Sequence, residues 1–273
     1  MKSNIQWTDF TWNIARGCSK VDEDRKYCYM FRDSFNGTRY IPNEVIRTKT
    51  VFNSPLKLKE PSKIFTCSLT DFFHVDIDPY RNEAWEIIRK CPQHTFQILT
   101  KRPERIHDHL PADWGAGYDN VWLGTSCGSQ EGMKRANALL AGLKSKVFFL
   151  SLEPLWGEID LHEFDLLLKD WRSLITFGTY IDWVIVGGES GNDNGKYRYR
   201  PCELEWIRKI VDQCKETETP VFVKQMGTHL SKELKMSDRH GGDINEFPED
   251  LRIREFPNSN KYQVGPIPKI TKP

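Results

Sequence analysis

No run of about eighteen apolar residues occurs in this chain, so no segment reads as a membrane span. The opening residues, Met-Lys-Ser-Asn-Ile-Gln-Trp-Thr-Asp, lack the apolar core of a secretion signal, and the expectation is a soluble, cytoplasmic protein. An excess of charge is also missing. With 39 Lys+Arg against 38 Asp+Glu the formal net charge is +1, which argues against a protein that grips duplex DNA mainly through its phosphates but permits a local basic patch. Absent too are a Walker-type phosphate loop, a Gly-x-Gly-x-x-Gly after the first strand, a nucleophile elbow and a His-Glu-x-x-His motif, so the reaction classes built on them lose weight. The histidines form no metal set by spacing. His107 and His109 lie two apart on different faces of a helix, and only His74 falls near the strand ends described below.

Cysteines number seven, an odd count scattered from Cys18 to Cys214. A disulfide framework does not fit that pattern, leaving free thiols or metal ligation. Cys91 and Cys214 each continue an apolar helical stripe and read as small core residues.

What the chain does contain is regular. Its 273 residues are 38% hydrophobic and 12% aromatic, enough for a large single core and too apolar for disorder. Short β-rich runs occur at Lys63–Leu69, Thr95–Leu99, Val121–Thr125, Val147–Leu152, Trp183–Val186 and Val221–Lys224, with a further candidate strand at Thr11–Ala15. Helical spacing lies between them. Ala84, Ile87, Ile88 and Cys91 share one face after Pro79; Met133, Ala136, Leu140 and Leu143 share another; Leu204, Ile207, Val211 and Cys214 follow Pro201. Phe164, Leu167, Leu168 and Trp171 make a fourth stripe. Repeated strand-then-helix units predict an α/β fold with a parallel sheet, as a complete or partial TIM-like (β/α) barrel over residues 1–228. An open doubly wound sheet is the alternative. Residues 229–273, rich in polar and turn residues, read as a C-terminal extension that covers the barrel mouth, followed by a loose tail.

Nearly every apolar run ends abruptly in side chains that can do chemistry. These are Ser68, Thr70 and Asp71; Thr100, Lys101 and Arg102; Thr125 and Ser126; Ser151 and Glu153; Gly187, Gly188 and Glu189; and Lys224 with Gln225. In a barrel all of these lie on the C-terminal rim, where active sites are built. The bland alternative is that some only cap helices or pair with one another. Glu153, directly after an apolar strand, needs a cation if buried, and Lys101, Arg102 or Lys224 would supply it. The glycine pair before Glu189 lets the backbone approach a ligand, or simply turn.

Cys18 and Cys28 stand nine residues apart near the end of the candidate first strand. Two thiols alone complete neither a zinc site nor an iron–sulfur site. Here the chain resembles the phage and bacterial three-cysteine-motif proteins, a family of radical-SAM-like barrels. The resemblance rests on WTDFTWN (7–13), GCSK (17–20), YCY (27–29), FTCSLTDFF (65–73), QILTKRPERI (97–106), VWLGTS (121–126), FLSLEPL (149–155), DWVIVGGESG (182–191), VFVKQMG (221–227) and EFPEDLRIREFP (246–257).

It implies a [4Fe-4S] cluster held by Cys18, Cys28 and a middle cysteine, with S-adenosylmethionine bound beside it. The middle position here is Arg25, whose guanidinium cannot replace a thiolate. Three readings stay open. The third ligand comes from elsewhere, with Cys67 and Cys127 near strand ends; the cluster is lost and the barrel only binds a ligand or partner; or Arg25 inactivates this particular chain. On the resemblance, Tyr27 packs near the adenine and Gly187, Gly188 and Glu189 match a cofactor-binding triplet; from the rim, Ser68, Thr125 and Ser151 are further cofactor-binding candidates. Glu153, Lys101, Lys224 and Asp71 are the catalytic candidates. The expected partners are a small-molecule, nucleotide or nucleic-acid substrate of anionic character and a partner protein, with no membrane. A zinc hydrolase is the remaining contrast, and no good ligand set supports it.

Overall fold

The computed structural model describes residues 2–21, 23, 26–28, 31, 43–140, 142–163, 178, 180–195 and 197–257. Arg25, the apolar stripe from Phe164 to Trp171 and the tail beyond 257 lie outside the described residues.

Seven strands form one all-parallel sheet: β1 (Phe10–Trp12), β4 (Lys63–Thr66), β5 (Thr95–Thr100), β6 (Val121–Ser126), β7 (Val147–Leu155), β8 (Trp183–Gly188) and β9 (Val221–Gln225), adjacent in that order. Each strand pairs with its successor in the sheet, Phe10 opposite Ile64 at one end and Val184 opposite Val221 at the other. Such unidirectional winding builds a barrel wall. Among the described residues β9 does not pair back to β1, so the wall is a partial barrel.

Helices α1 (Asp78–Lys90), α2 (Lys134–Leu140) and α3 (Leu204–Glu216) occupy three of the crossovers, and α4 (Gly227–Glu233) follows β9. The candidate first strand at Thr11–Ala15 is broken in two. Its first half lies in β1, whereas β2 (Ala15–Arg16) leaves the sheet and pairs antiparallel with β3 (Ile46–Arg47).

Strand periodicity sorts the core. Outward residues such as Ile64, Phe96, Ile98, Leu123, Leu150, Val184 and Val223 pack in two clusters that include the buried residues of the helices. Inward residues Phe65, Trp122, Val147, Phe149, Trp183, Ile185 and Phe222 form a third, largely aromatic cluster. Trp183 sits at its centre, with ring centroids of Trp7, Trp122, Phe149 and Phe256 between 5.4 and 6.1 Å away. Gly124 makes room for this packing, because a Cβ there would lie 2.6 Å from the Phe149 ring.

Both sheet edges are covered by the chain's own ends, which blunts them against further pairing. Lys2 bridges antiparallel to Phe10 on β1, and Arg254 bridges to Phe222 on β9. Trp183 Nε1 donates to the Glu255 carbonyl at 2.8 Å, so Trp7 and Phe256 close the interior from below while the C-terminal strand ends stay open above.

Candidate functional site

Period-two alternation also aims the polar residues. On β5 the inward positions Gln97 and Leu99 continue to Lys101; on β7, Val147 and Phe149 continue to Ser151 and Glu153; on β9, Phe222 continues to Lys224. Above the aromatic floor these side chains surround a cavity of about 440 Å³ at the C-terminal rim. Trp7, Phe65 and Leu99 line its apolar part. Ser68, Thr70, Lys101, Ser151, Glu153, Gly188, Glu189, Lys224 and Gln225 line its polar part, with Tyr27 and Cys28 on the N-terminal loop.

Two ion pairs hold the carboxylates of the cavity wall. Lys224 Nζ on β9 donates to Glu153 Oε1 on β7, the local cation the sequence asked for. Glu189 is held by Arg200, whose Nη2 donates to Oε1 at 2.7 Å while its Nε and backbone N–H reach Oε2 at 2.8 Å. Arg200 also donates to the Glu23 carbonyl at 2.8 Å and lies over the Trp156 ring. It thereby ties the loop bearing Tyr27 and Cys28 to the end of β8. Nothing in the local sequence around Arg200 marks that role, since it arises from a contact between residues 177 positions apart.

Of the sequence-derived candidates, Tyr27, Cys28, Ser68, Lys101, Ser151, Glu153, Gly188, Glu189 and Lys224 share the cavity wall. Asp71, Thr125, Gly187 and Cys18 are not in it. Asp71 is fully buried, accepting from Thr100 Oγ1 at 2.7 Å, the Phe73 and Lys101 backbone N–H groups at 3.0 Å, and Arg102 Nη1 at 3.2 Å. Thr125 faces the other way and donates to the Thr100 carbonyl at 2.9 Å. At Gly187 a Cβ would meet Gln225, so the absent side chain serves strand packing. Cys18 is fully buried, with Arg102 Nη1 3.8 Å from its sulfur. Cys127 belongs to an outer core cluster.

Thr70 was legible only as one polar rim residue among many. Its hydroxyl is buried without a hydrogen-bond partner among the described residues, and it borders the cavity. A hydroxyl in that state lacks an interaction that a bound molecule would provide.

The family model described as "Protein of unknown function (DUF5131)" matches residues 2–251. The chain belongs to that family. No curated protein matches this DUF5131 chain. Among solved structures, it is similar to a cysteine-to-serine mutant of a spore photoproduct lyase, with 12% identity, 80% of this chain and 75% of that chain covered, and a TM-score of 0.49.

The donor set of this DUF5131 chain does not suit a motif-held iron–sulfur cluster. Such a cluster takes about four ligands, or three plus a bound molecule. Residue 25, where the resemblance would place a third cysteine, is arginine. Cys18 is enclosed against Arg102 and stands outside the cavity wall, whereas Cys28 stands in it. Among the described residues no group of three or more His, Cys, Asp or Glu side chains is placed to hold a metal ion.

Proposed function

We propose that this protein is a radical-SAM-like barrel that binds an S-adenosylmethionine-type small molecule in the rim cavity without a cluster held by its cysteine motif. The observation that carries the reading is the convergence of residues from six strand ends and the Tyr27 loop on one cavity. Its volume of about 440 Å³ falls within the roughly 300–1,000 Å³ usual for small-molecule sites. The aromatic floor shields a flat, apolar group from water, and Ser68, Ser151 and Thr70 offer hydroxyls above it. Lys101, 8% exposed at the cavity wall, suits an anionic group on a second, substrate molecule. Binding, orientation and exclusion of water are the tasks these residues perform.

One observation favours a second reading. Cys67 shares the cavity wall with Cys28, and Cys18 lies near enough to act on it electrostatically. In that reading Cys67 would serve as the third cluster ligand, and the three thiols, which are not grouped for a metal as they stand, would have to be brought together. As it stands, burial pushes the Cys67 thiol far above its ordinary range, opposed by a hydrogen bond from the Ile14 backbone and reinforced by the Asp71 and Cys18 charges.

Iron analysis together with ligand titration separates the two. After anaerobic reconstitution with iron and sulfide, the leading reading expects fewer than about one iron per chain and saturable binding of S-adenosylhomocysteine. About four irons per chain, lost in Cys67→Ser, would establish the second reading instead. Absence of S-adenosylhomocysteine binding would overturn the first.

A further inference from the structure

The cavity wall holds two basic and two acidic side chains, Lys101, Lys224, Glu153 and Glu189. They are not equivalent. Glu189 has both oxygens engaged by Arg200, so it offers little to a ligand. Glu153 and Lys224 have only each other: one Lys224 N–H meets Glu153 Oε1, and neither side chain has another hydrogen bond among the described residues. Both are partly buried, at 16% and 18% exposure, and both face the cavity.

An ion pair presented edge-on in this way is a dipole with unused capacity at both poles. Lys224 retains two N–H donors, and Glu153 retains Oε2 as an acceptor. A simple anion would gain Lys224 but meet the Glu153 carboxylate beside it, and a simple cation would face the reverse conflict. A zwitterion satisfies both poles at once when it lies antiparallel to the pair, its carboxylate on Lys224 and its ammonium on Glu153 Oε2. The existing bridge need not break. Partial burial beside an aromatic floor strengthens such charge-assisted bonds over their value in water.

We infer that the Glu153–Lys224 pair seats the zwitterionic head of an amino-acid-bearing ligand, whose remaining part extends over Trp7, Phe65 and Leu99. This rests on the reading of the rim cavity as an adenosyl-ligand site and adds the recognition of the head. In a chain whose cysteine motif does not suit a cluster, the head is held by side chains alone.

The test is a calorimetric series on the full chain with three ligands of one scaffold. S-adenosylhomocysteine carries the zwitterion, its decarboxylated amine keeps only the ammonium, and 5′-methylthioadenosine has neither charge. The expected result is S-adenosylhomocysteine binding at least about tenfold tighter than either of the others, the scale of one charge-assisted hydrogen bond. Lys224→Met should erase the preference over the decarboxylated amine, and Glu153→Gln should reduce the preference over 5′-methylthioadenosine; a thermal melt reports whether each variant is folded. If a variant fails to fold, the wild-type series decides alone. Equal binding of all three ligands overturns the assignment of the head while leaving the cavity as the site. A preference over the decarboxylated amine that persists in a folded Lys224→Met overturns it too. Binding of none overturns both the head assignment and the reading beneath it.

Discussion

Asp71→Ala is expected to destabilise the fold by about 3–5 kcal/mol, the cost of removing one partner from a buried ion pair. Asp71 is fully buried, and its two oxygens accept from Thr100, Phe73, Lys101 and Arg102. Without the carboxylate, the Arg102 guanidinium keeps, among the described residues, its bonds to Ser19, at 2.8 and 3.0 Å, and its contact with Cys18. That leaves a mostly buried cation uncompensated, together with two orphaned backbone N–H groups. Urea denaturation with an unchanged m-value measures the loss. A drop below about 1 kcal/mol, within the range of an ordinary surface change, combined with lost ligand binding would make Asp71 a site residue rather than the anchor between the ends of β4 and β5.

Gly188→Ala should cost about 2–3 kcal/mol, at the upper end for overpacking, and should weaken ligand binding as well. A Cβ at Gly188 would lie 2.2 Å from the Met226 carbonyl oxygen and 2.9 Å from its carbon. Both are backbone atoms, so the ends of β8 and β9 must separate. Those ends carry Glu189 and Lys224, two walls of the cavity. Gly195→Ala is the control: Gly195 has positive φ but nothing within 4 Å of a new Cβ, so strain without collision should leave binding intact. Thermal melts and S-adenosylhomocysteine titration read both effects. A stable Gly188→Ala protein that merely loses its ligand would mean the glycine serves ligand approach and not strand packing.

The fold was readable because inward and outward residues alternate along β4 to β9 and helical stripes fall between strands. The same alternation, carried past the strand ends, distinguishes Lys101, Ser151, Glu153 and Lys224, which face the cavity, from Thr125, which does not. Polarity at a strand end was therefore only part of the signal; parity was another part, and it fails at the end of β8, where a register shift between Val186 and Gly187 accompanies Gly188, not Gly187, on the cavity wall. Asp71 shows a further limit. It follows an inward strand residue by several positions of turn, and only tertiary contacts reveal that its carboxylate binds the neighbouring loop. The split of the first strand was also hidden, since β2 and β3 are two residues each, too short for any periodicity. Arg200 and the closure of the interior by Trp7 and Phe256 depend on residues distant in sequence that meet only in the folded chain.

A crystal structure of the full chain with S-adenosylhomocysteine tests the rim cavity most directly. The expected result is one ligand per chain over Trp7 and Phe65, its amino-acid head on Glu153 and Lys224 and no iron bound to Cys18. A ligand held elsewhere on the molecule, or an iron–sulfur cluster ligated by Cys18 and Cys28, would contradict the account.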